Sequence, residues 1–325
     1  MNFLLSVHLY PPKHLCGAET MIHGIAKDLI SKGHHVRVLL HQANHYRIKN
    51  NYSFDGVDVF PPNDNVIENL MRWCDAVFTH LDYTRWTIHA AKMYRKPVFH
   101  LIHNSHPYPE IIGAENPQHI IYNSFWLKNL LNYKSSNFIL PPPTDYRFFD
   151  LGIDHGKSDY ITLINLNKNK GGEIFAQIAR AMPNKKFLAV MGSYDEQIVP
   201  NLPNVKVVEK SVNIRDYYRQ TRILLMPSEY ESWGITATEA MSSGIPVICT
   251  DTPGLVENCG KAGIYVKKRD DIKSWVKAIS DLDDEKKYRE HSRKAKERAR
   301  EHDPRKRLDD LEPWIREKVY EYRQR

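Results

Sequence analysis

Short apolar runs alternate with amphipathic stretches along the chain, the pattern of parallel strands joined by helices. In the first half, the runs Asn2–Val7, Val36–His41, Ala76–His80, Val98–His103 and His119–Asn123 predict strands. Ala18–Ser31 and Tyr83–Tyr94 predict helices between them. The pattern breaks at LPPPTDYRFF (140–149), where consecutive prolines can continue neither kind of element and predict a stiff connection. It then resumes, with strands expected at Tyr160–Asn165, Phe187–Met191, Val205–Val208, Ile223–Pro227, Val247–Thr250 and Ile264–Val266. The helices expected with them are Glu173–Ala181, Ile214–Gln220, Gly234–Ser242 and Asp271–Asp281. The fold class is therefore α/β: two doubly wound, Rossmann-like domains in series, 1–143 and 144–309. A closing helix, 310–325, carries Trp314, Ile315, Val319 and Tyr322 at helical spacing.

Composition narrows the class. A chain of 325 residues is comfortable for two domains. No run of eighteen apolar residues occurs, so no membrane-spanning helix is expected. The start, MNFLLSVHLYPP, reads as a first strand, not a signal peptide, because it is short and lacks a basic leader. Cys16, Cys74, Cys249 and Cys259 show no metal-ligand spacing, and reduced thiols in a cytoplasmic protein are the simplest account. The net charge of +7 is concentrated: EKKYREHSRKAKERAR (285–300) carries 8 basic against 3 acidic residues. Such a helix is ordinarily a solvated face; an anionic membrane surface or nucleic acid are the sharper readings. Thirteen of the 16 histidines precede residue 120, which directs the search for histidine chemistry to the first half.

The densest chemistry lies in PSEYESWGITATEAMSSGIPVI (227–248). Glu231 falls in the loop after an apolar strand, Gly234 opens the next helix, and Glu239 lies within it. A helix N-terminus offers unpaired N–H groups and partial positive charge to an anion. Two carboxylates about 12 Å apart, at the usual helical rise, suit hydroxyls at both ends of a ligand with phosphate between them. A sugar nucleotide has that shape.

This segment resembles the signature of family 4 retaining glycosyltransferases, which have the GT-B fold of two such domains facing a central cleft. The resemblance implies that Glu231 holds the donor sugar and Glu239 the ribose, with Trp233 in place of the family's Phe. In TLINLNKNKGGEIF (162–175), Lys170-Gly171 matches the family's phosphate-neutralising Lys-Gly. The accompanying Arg is replaced by Asn165 or Asn167, leaving Lys168 to supply a second charge or an amide to donate instead. Cys16-Gly17 stands for the family's Gly-Gly after the first strand, with Glu19 in the first helical turn. Gly254 and Glu257 keep the shape of its Gly-Leu-x-Glu turn. His103, in KPVFHLIHNSHPYP (96–109), takes the position of the histidine near the reaction centre. A metal reading of His100, His103 and His106 is disfavoured by their spacing, and Ser124 reads as a helix cap beside Lys128. The last helix is expected to return to the first domain.

The implied activity is transfer from a UDP-, GDP- or ADP-sugar to an acceptor hydroxyl, with no tightly bound cofactor and no essential divalent metal. The reaction-centre set is His103, Glu231 and Lys170. Gly17, Lys168, Trp233, Gly234, Ile235 and Glu239 complete the donor-binding set. A glycan acceptor ranks first; hydroxymethylated DNA or a phage or virion protein ranks second, since similar compact members occur in bacteria and phage genomes. Peripheral membrane contact is a further alternative. A non-catalytic sugar-nucleotide-binding module is the rival of another class. A dinucleotide oxidoreductase lacks its G-x-G-x-x-G here, and an epimerase would need a carboxylate set that is not found.

Overall fold

The computed structural model describes residues 1–12, 16–106, 112, 119–211 and 213–324. Its chain divides into two compact units, Met1–Pro143 with Pro304–Arg325, and Thr144–Asp303.

The first unit runs β1 (Asn2–Val7), α1 (Gly17–Ser31), β2 (His35–Leu40), β3 (Tyr52–Phe54), β4 (Val57–Phe60), α2 (Asp64–Trp73) and β5 (Ala76–His80). It continues with α3 (Thr84–Met93), β6 (Val98–Ile102), β7 (His119–Tyr122), α4 (Phe125–Leu131) and β8 (Ser136–Ile139). The strands form one sheet in the order β3-β4-β2-β1-β5-β6-β7-β8, parallel except for the β3–β4 pair. That hairpin was not expected from the apolar pattern. It turns on Asp55-Gly56, both at positive φ, the dipeptide a tight hairpin favours. The short strand Ser136–Ile139 was also missed, because its first three residues are only half-buried.

The second unit contains α5 (Tyr146–Phe149), β9 (Tyr160–Ile164), α6 (Gly172–Ala181), β10 (Lys186–Val190), β11 (Val205–Val208), α7 (Arg215–Tyr218) and β12 (Thr221–Met226). Then come α8 (Ile235–Ser242), β13 (Val247–Thr250), α9 (Pro253–Cys259), β14 (Ile264–Val266), α10 (Ile272–Asp281) and α11 (Glu285–Glu301). Its six strands are all parallel, ordered β11-β10-β9-β12-β13-β14. Apolar clusters led by Phe175, Phe187 and Trp275, and by Leu224, Met241 and Leu255, explain why the strands read as continuous apolar runs.

The final helix, α12 (Pro304–Arg323), buries Leu308, Leu311, Ile315 and Val319 in the core of the first unit. It opens at Pro304, a favoured first helical position, six residues before the expected Asp310. Lys32 Nζ donates to Leu308 O at 2.6 Å, and His34 Nε2 lies 3.0 Å from Glu312 Oε1, tying α12 to the end of α1.

The order of strands reverses once in each sheet. Chain direction runs outward from β1 and returns at β5, and outward from β9 and returns at β12. At such a switch point neighbouring loops diverge and leave a crevice at the carboxyl ends of the strands. Of the singled-out residues, His103 follows β6, Lys170 follows β9 and Glu231 follows β12; His8 after β1 and His80 at the end of β5 lie at the same strand ends.

Candidate active site

In the second unit, the loops after β9 and β12 bring Lys170 and Glu231 together. Lys170 Nζ donates to Glu231 Oε1 at 2.6 Å, and Ser228 Oγ donates to the same oxygen at 3.1 Å. Glu231 is 7% exposed. Burial pulls the Lys170 pKa down, but the Glu231 charge and hydrogen bond, with Tyr194 and Tyr230, outweigh it and hold the ammonium above its ordinary value. The pair is thus a charged, partly buried unit.

The two loops are braced from several sides. Arg269, beyond β14, donates through Nε to Pro227 O and through Nη2 to Lys168 O, each at 2.7 Å. Glu229 N–H donates to Asn169 O at 2.8 Å. Gly171 sits at φ +88°, and a Cβ there would lie 2.5 Å from Pro227 O, so the Lys-Gly pair sets the closeness of the loops.

The asparagines standing where the resemblance places Arg do not face outward. Asn165 is buried at φ +71°, and its Oδ1 accepts from Asn167 N–H at 3.2 Å and Gln197 Nε2 at 3.1 Å. Asn167 Oδ1 accepts from Lys170 N–H at 2.8 Å. Through these oxygens both amides shape the loop. Lys168 is exposed, with its carbonyl held by Arg269.

At the other end of the motif, Gly234 caps α8 at φ +81°, and Ile235 is the first helical residue. Trp233 is 3% exposed, and its indole N–H donates to Thr238 Oγ1 at 3.2 Å. Asn258 Nδ2 donates to Trp233 O and Gly234 O at 3.0 and 2.9 Å. Trp233 therefore holds the turn from inside. Glu239, on α8, accepts from Tyr218 OH at 2.7 Å. Burial pushes its carboxyl up to about 7, with the Tyr218 hydrogen bond opposing.

In the first unit, His103 Nε2 lies 3.0 Å from His80 Nδ1, and the His80 ring lies 5.2 Å from that of His8. His8 Nε2 is 3.3 Å from Glu19 Oε1. Burial draws His103 down to about 4, with Glu19 opposing, so it is neutral near pH 7. His100 is buried within β6, and His106 is exposed. Gly17 is the first residue of α1, where Cys16 N–H donates to Glu19 Oε2 at 3.1 Å. Residues 13–15 of the loop before it, and 107–111 and 113–118 after His106, lie outside the described residues.

His80, Tyr218, Asn258 and Arg269 escaped the sequence reading. His80 ended a predicted strand and could have been linked to His103 through strand adjacency. Asn258 and Arg269 act through backbone groups, and Tyr218 reaches Glu239 from another helix, where linear spacing carries no signal.

The family described as Glycosyl transferases group 1 matches residues 159–284. This stretch is similar to a group 1 glycosyl transferase domain. It contains both loops and both glutamates of the second-unit site. A curated relative, the lipopolysaccharide core biosynthesis mannosyltransferase LpsB of Rhizobium meliloti, is 31% identical over 83 residues, 24% of this chain and 23% of the relative. The matched part thus spans under a quarter of that relative's length.

Solved structures show the same fold over nearly the whole chain. Sucrose-phosphate synthase from Thermosynechococcus elongatus superposes with a TM-score of 0.80 at 16% identity, covering 98% of both chains. Anabaena HepE in complex with UDP and glucose gives 0.77 at 15% identity, covering 96% of this chain and 98% of its own. The matched stretch thus sits within a chain of GT-B fold.

Proposed function

We propose that the protein is a retaining glycosyltransferase that moves a sugar from a nucleotide donor to a hydroxyl of a glycan. The observation that carries this reading is the Lys170–Glu231 pair, held at the switch point of the second unit three residues ahead of the Gly234 helix cap. Glu231 accepts hydrogen bonds from donor-sugar hydroxyls. Lys170 has three N–H donors and uses one on Glu231 among the described residues, so the ammonium can also meet diphosphate oxygens.

The start of α8 adds N–H groups for the same anion, and Glu239 takes the ribose, sharing its carboxyl with Tyr218. His103, neutral and held by His80, serves the acceptor side as a hydrogen-bonding group. As the sugar–phosphate bond breaks, the acceptor oxygen bonds to the anomeric carbon on the same face, and its proton passes to the departing phosphate oxygen. Lys170 stabilises the charge that builds there. No carboxylate base is needed.

A UDP-sugar ranks first as donor, because the HepE structure holds UDP and glucose in this fold. A glycan acceptor is supported by the relative named for lipopolysaccharide core biosynthesis.

The test is a panel of UDP-, GDP- and ADP-sugars, assayed for hydrolysis and for transfer to oligosaccharides, with the product's anomeric configuration read by NMR. Turnover of one donor with retained configuration supports the reading. Tight binding without turnover of any donor would make the protein a sugar-nucleotide-binding module.

A further inference from the structure

We infer that the first unit holds a divalent metal of the zinc class between His8, Glu19 and His80, apart from the donor site in the second unit. One ligand atom from each of these residues lies within 4.8 Å of the other two. The three reach the point from different elements: His8 follows β1, Glu19 lies in the first turn of α1, and His80 ends β5. Strands β1 and β5 are paired neighbours, so the switch point of this sheet carries the cluster.

The distances fit an ion. Zinc bonds of about 2.0–2.2 Å in tetrahedral geometry separate ligand atoms by about 3.3–3.6 Å. His8 Nε2 and Glu19 Oε1 already stand 3.3 Å apart. The third ligand atom lies no more than 4.8 Å from the others, so closing that separation by about 1.5 Å or less reaches bonding geometry.

A second, independent observation points to the same place. His80 is fully buried, and its Nε2 has no hydrogen-bond partner among the described residues, while its Nδ1 lies 3.0 Å from His103 Nε2. A buried ring nitrogen without a partner is costly unless something occupies its lone pair. With the proton on Nδ1 donated to His103, Nε2 presents that lone pair. Metal-bound histidines are commonly held this way through their other nitrogen.

Glu19 is divided similarly. Its Oε2 accepts from Cys16 N–H at 3.1 Å, leaving Oε1 on the His8 side. His8 is 12% exposed at its side chain, which provides an entry path. Two imidazoles and a carboxylate form a set that zinc takes in three-ligand sites, with the fourth position left for water or a hydroxyl.

The test is calorimetric titration of Zn2+ into full-length protein freed of metal by chelator and dialysis, with stoichiometry from elemental analysis. Visible absorption after Co2+ loading reports coordination independently. We expect one ion per chain. We expect His103→Gln, which leaves all three ligands, to weaken binding by about 10–100-fold. Glu19→Gln and His8→Asn should weaken it further and abolish the Co2+ spectrum.

Glu19→Gln keeps the side chain's volume and an oxygen for Cys16 N–H, so its metal-free melting curve should match wild type. Added Zn2+ should then raise the melting temperature of wild type but not of this variant. Absence of saturable binding by wild type, or binding unchanged in both ligand variants, overturns the inference. Neither result depends on glycosyl transfer, so failure here and failure of the proposed activity are distinguishable.

Discussion

At the scale of single residues, the Lys170–Glu231 pair separates two parts of one ligand. Glu231→Ala is expected to remove transfer while nucleoside diphosphate still binds. Loss of a hydrogen bond to a charged group costs roughly 1.5–3 kcal/mol, about 10–150-fold. Calorimetry with the diphosphate beside an assay with the sugar donor checks this; equal loss of both refutes the sugar-side role. Lys170→Ala should weaken diphosphate far more than nucleoside.

The same residue scale yields a pH prediction at Glu239, whose carboxyl burial pushes from the ordinary 4.5 up to about 7. A raised folded pKa contributes stability that is present below the unfolded value and lost as pH rises through the folded one. Wild type should therefore lose about 2–3 kcal/mol from this group between about pH 5 and 8. Glu239→Gln should flatten that slope. Denaturant unfolding at both pH values measures the difference.

At the scale of elements, α11 illustrates how a sequence-level charge run acquires meaning. Arg289 pairs with Glu285, Arg293 with Glu297 and Lys294 with Glu290, each four residues apart, and Lys287 reaches Asp281. Tyr288, Ala295 and Ala299 face inward. The outward side of the helix is exposed, and most of these charges pair within it.

Changing Lys286, Lys287, Arg293 and Lys294 to Gln should leave donor hydrolysis and glycan transfer intact, with little salt dependence. Each exposed pair contributes about 0.2–1 kcal/mol, so the variant should still fold. Lost transfer to a macromolecular acceptor, with hydrolysis kept and a steep salt slope in wild type, would instead make this helix a recruiting surface.

Elements buried on both faces, such as β5, β12 and β13, were legible because unbroken apolar runs have few other destinations. The β3–β4 hairpin was not, although Asp55-Gly56 carried its signal. Within the site, Glu231, Glu239 and Lys170-Gly171 could be read from local order. The Tyr218–Glu239 bond, the Arg269 brace and the His80–His103 contact join residues 21, 42 and 23 positions or more apart, and only the topology brings them together. The loop contacts of Asn165 and Asn167 were not legible, because an amide's partners cannot be inferred from residue type.

At the scale of the molecule, the first unit draws on both ends of the described chain, and the second lies wholly between them. Removing Pro304–Arg325 strips four buried side chains from the first core. At about 1.5–3 kcal/mol each, that loss rivals the whole stability of a typical domain. The truncated protein should show one calorimetric transition, from the second unit, where the full chain shows two. Near-UV circular dichroism should report loss of the Trp314 packing against Phe99 and Phe138.

The interrupted layout also sets an order of events during synthesis. Translating Thr144–Asp303 takes about 8–32 s at roughly 5–20 residues per second. For that interval the nascent first unit lacks its closing helix, and the face that receives Leu308, Leu311, Ile315 and Val319 stays open on the ribosome. The domain begun first is thus the one completed last. A chaperone that binds exposed apolar surface should meet this protein through its beginning, and release it once its end has emerged.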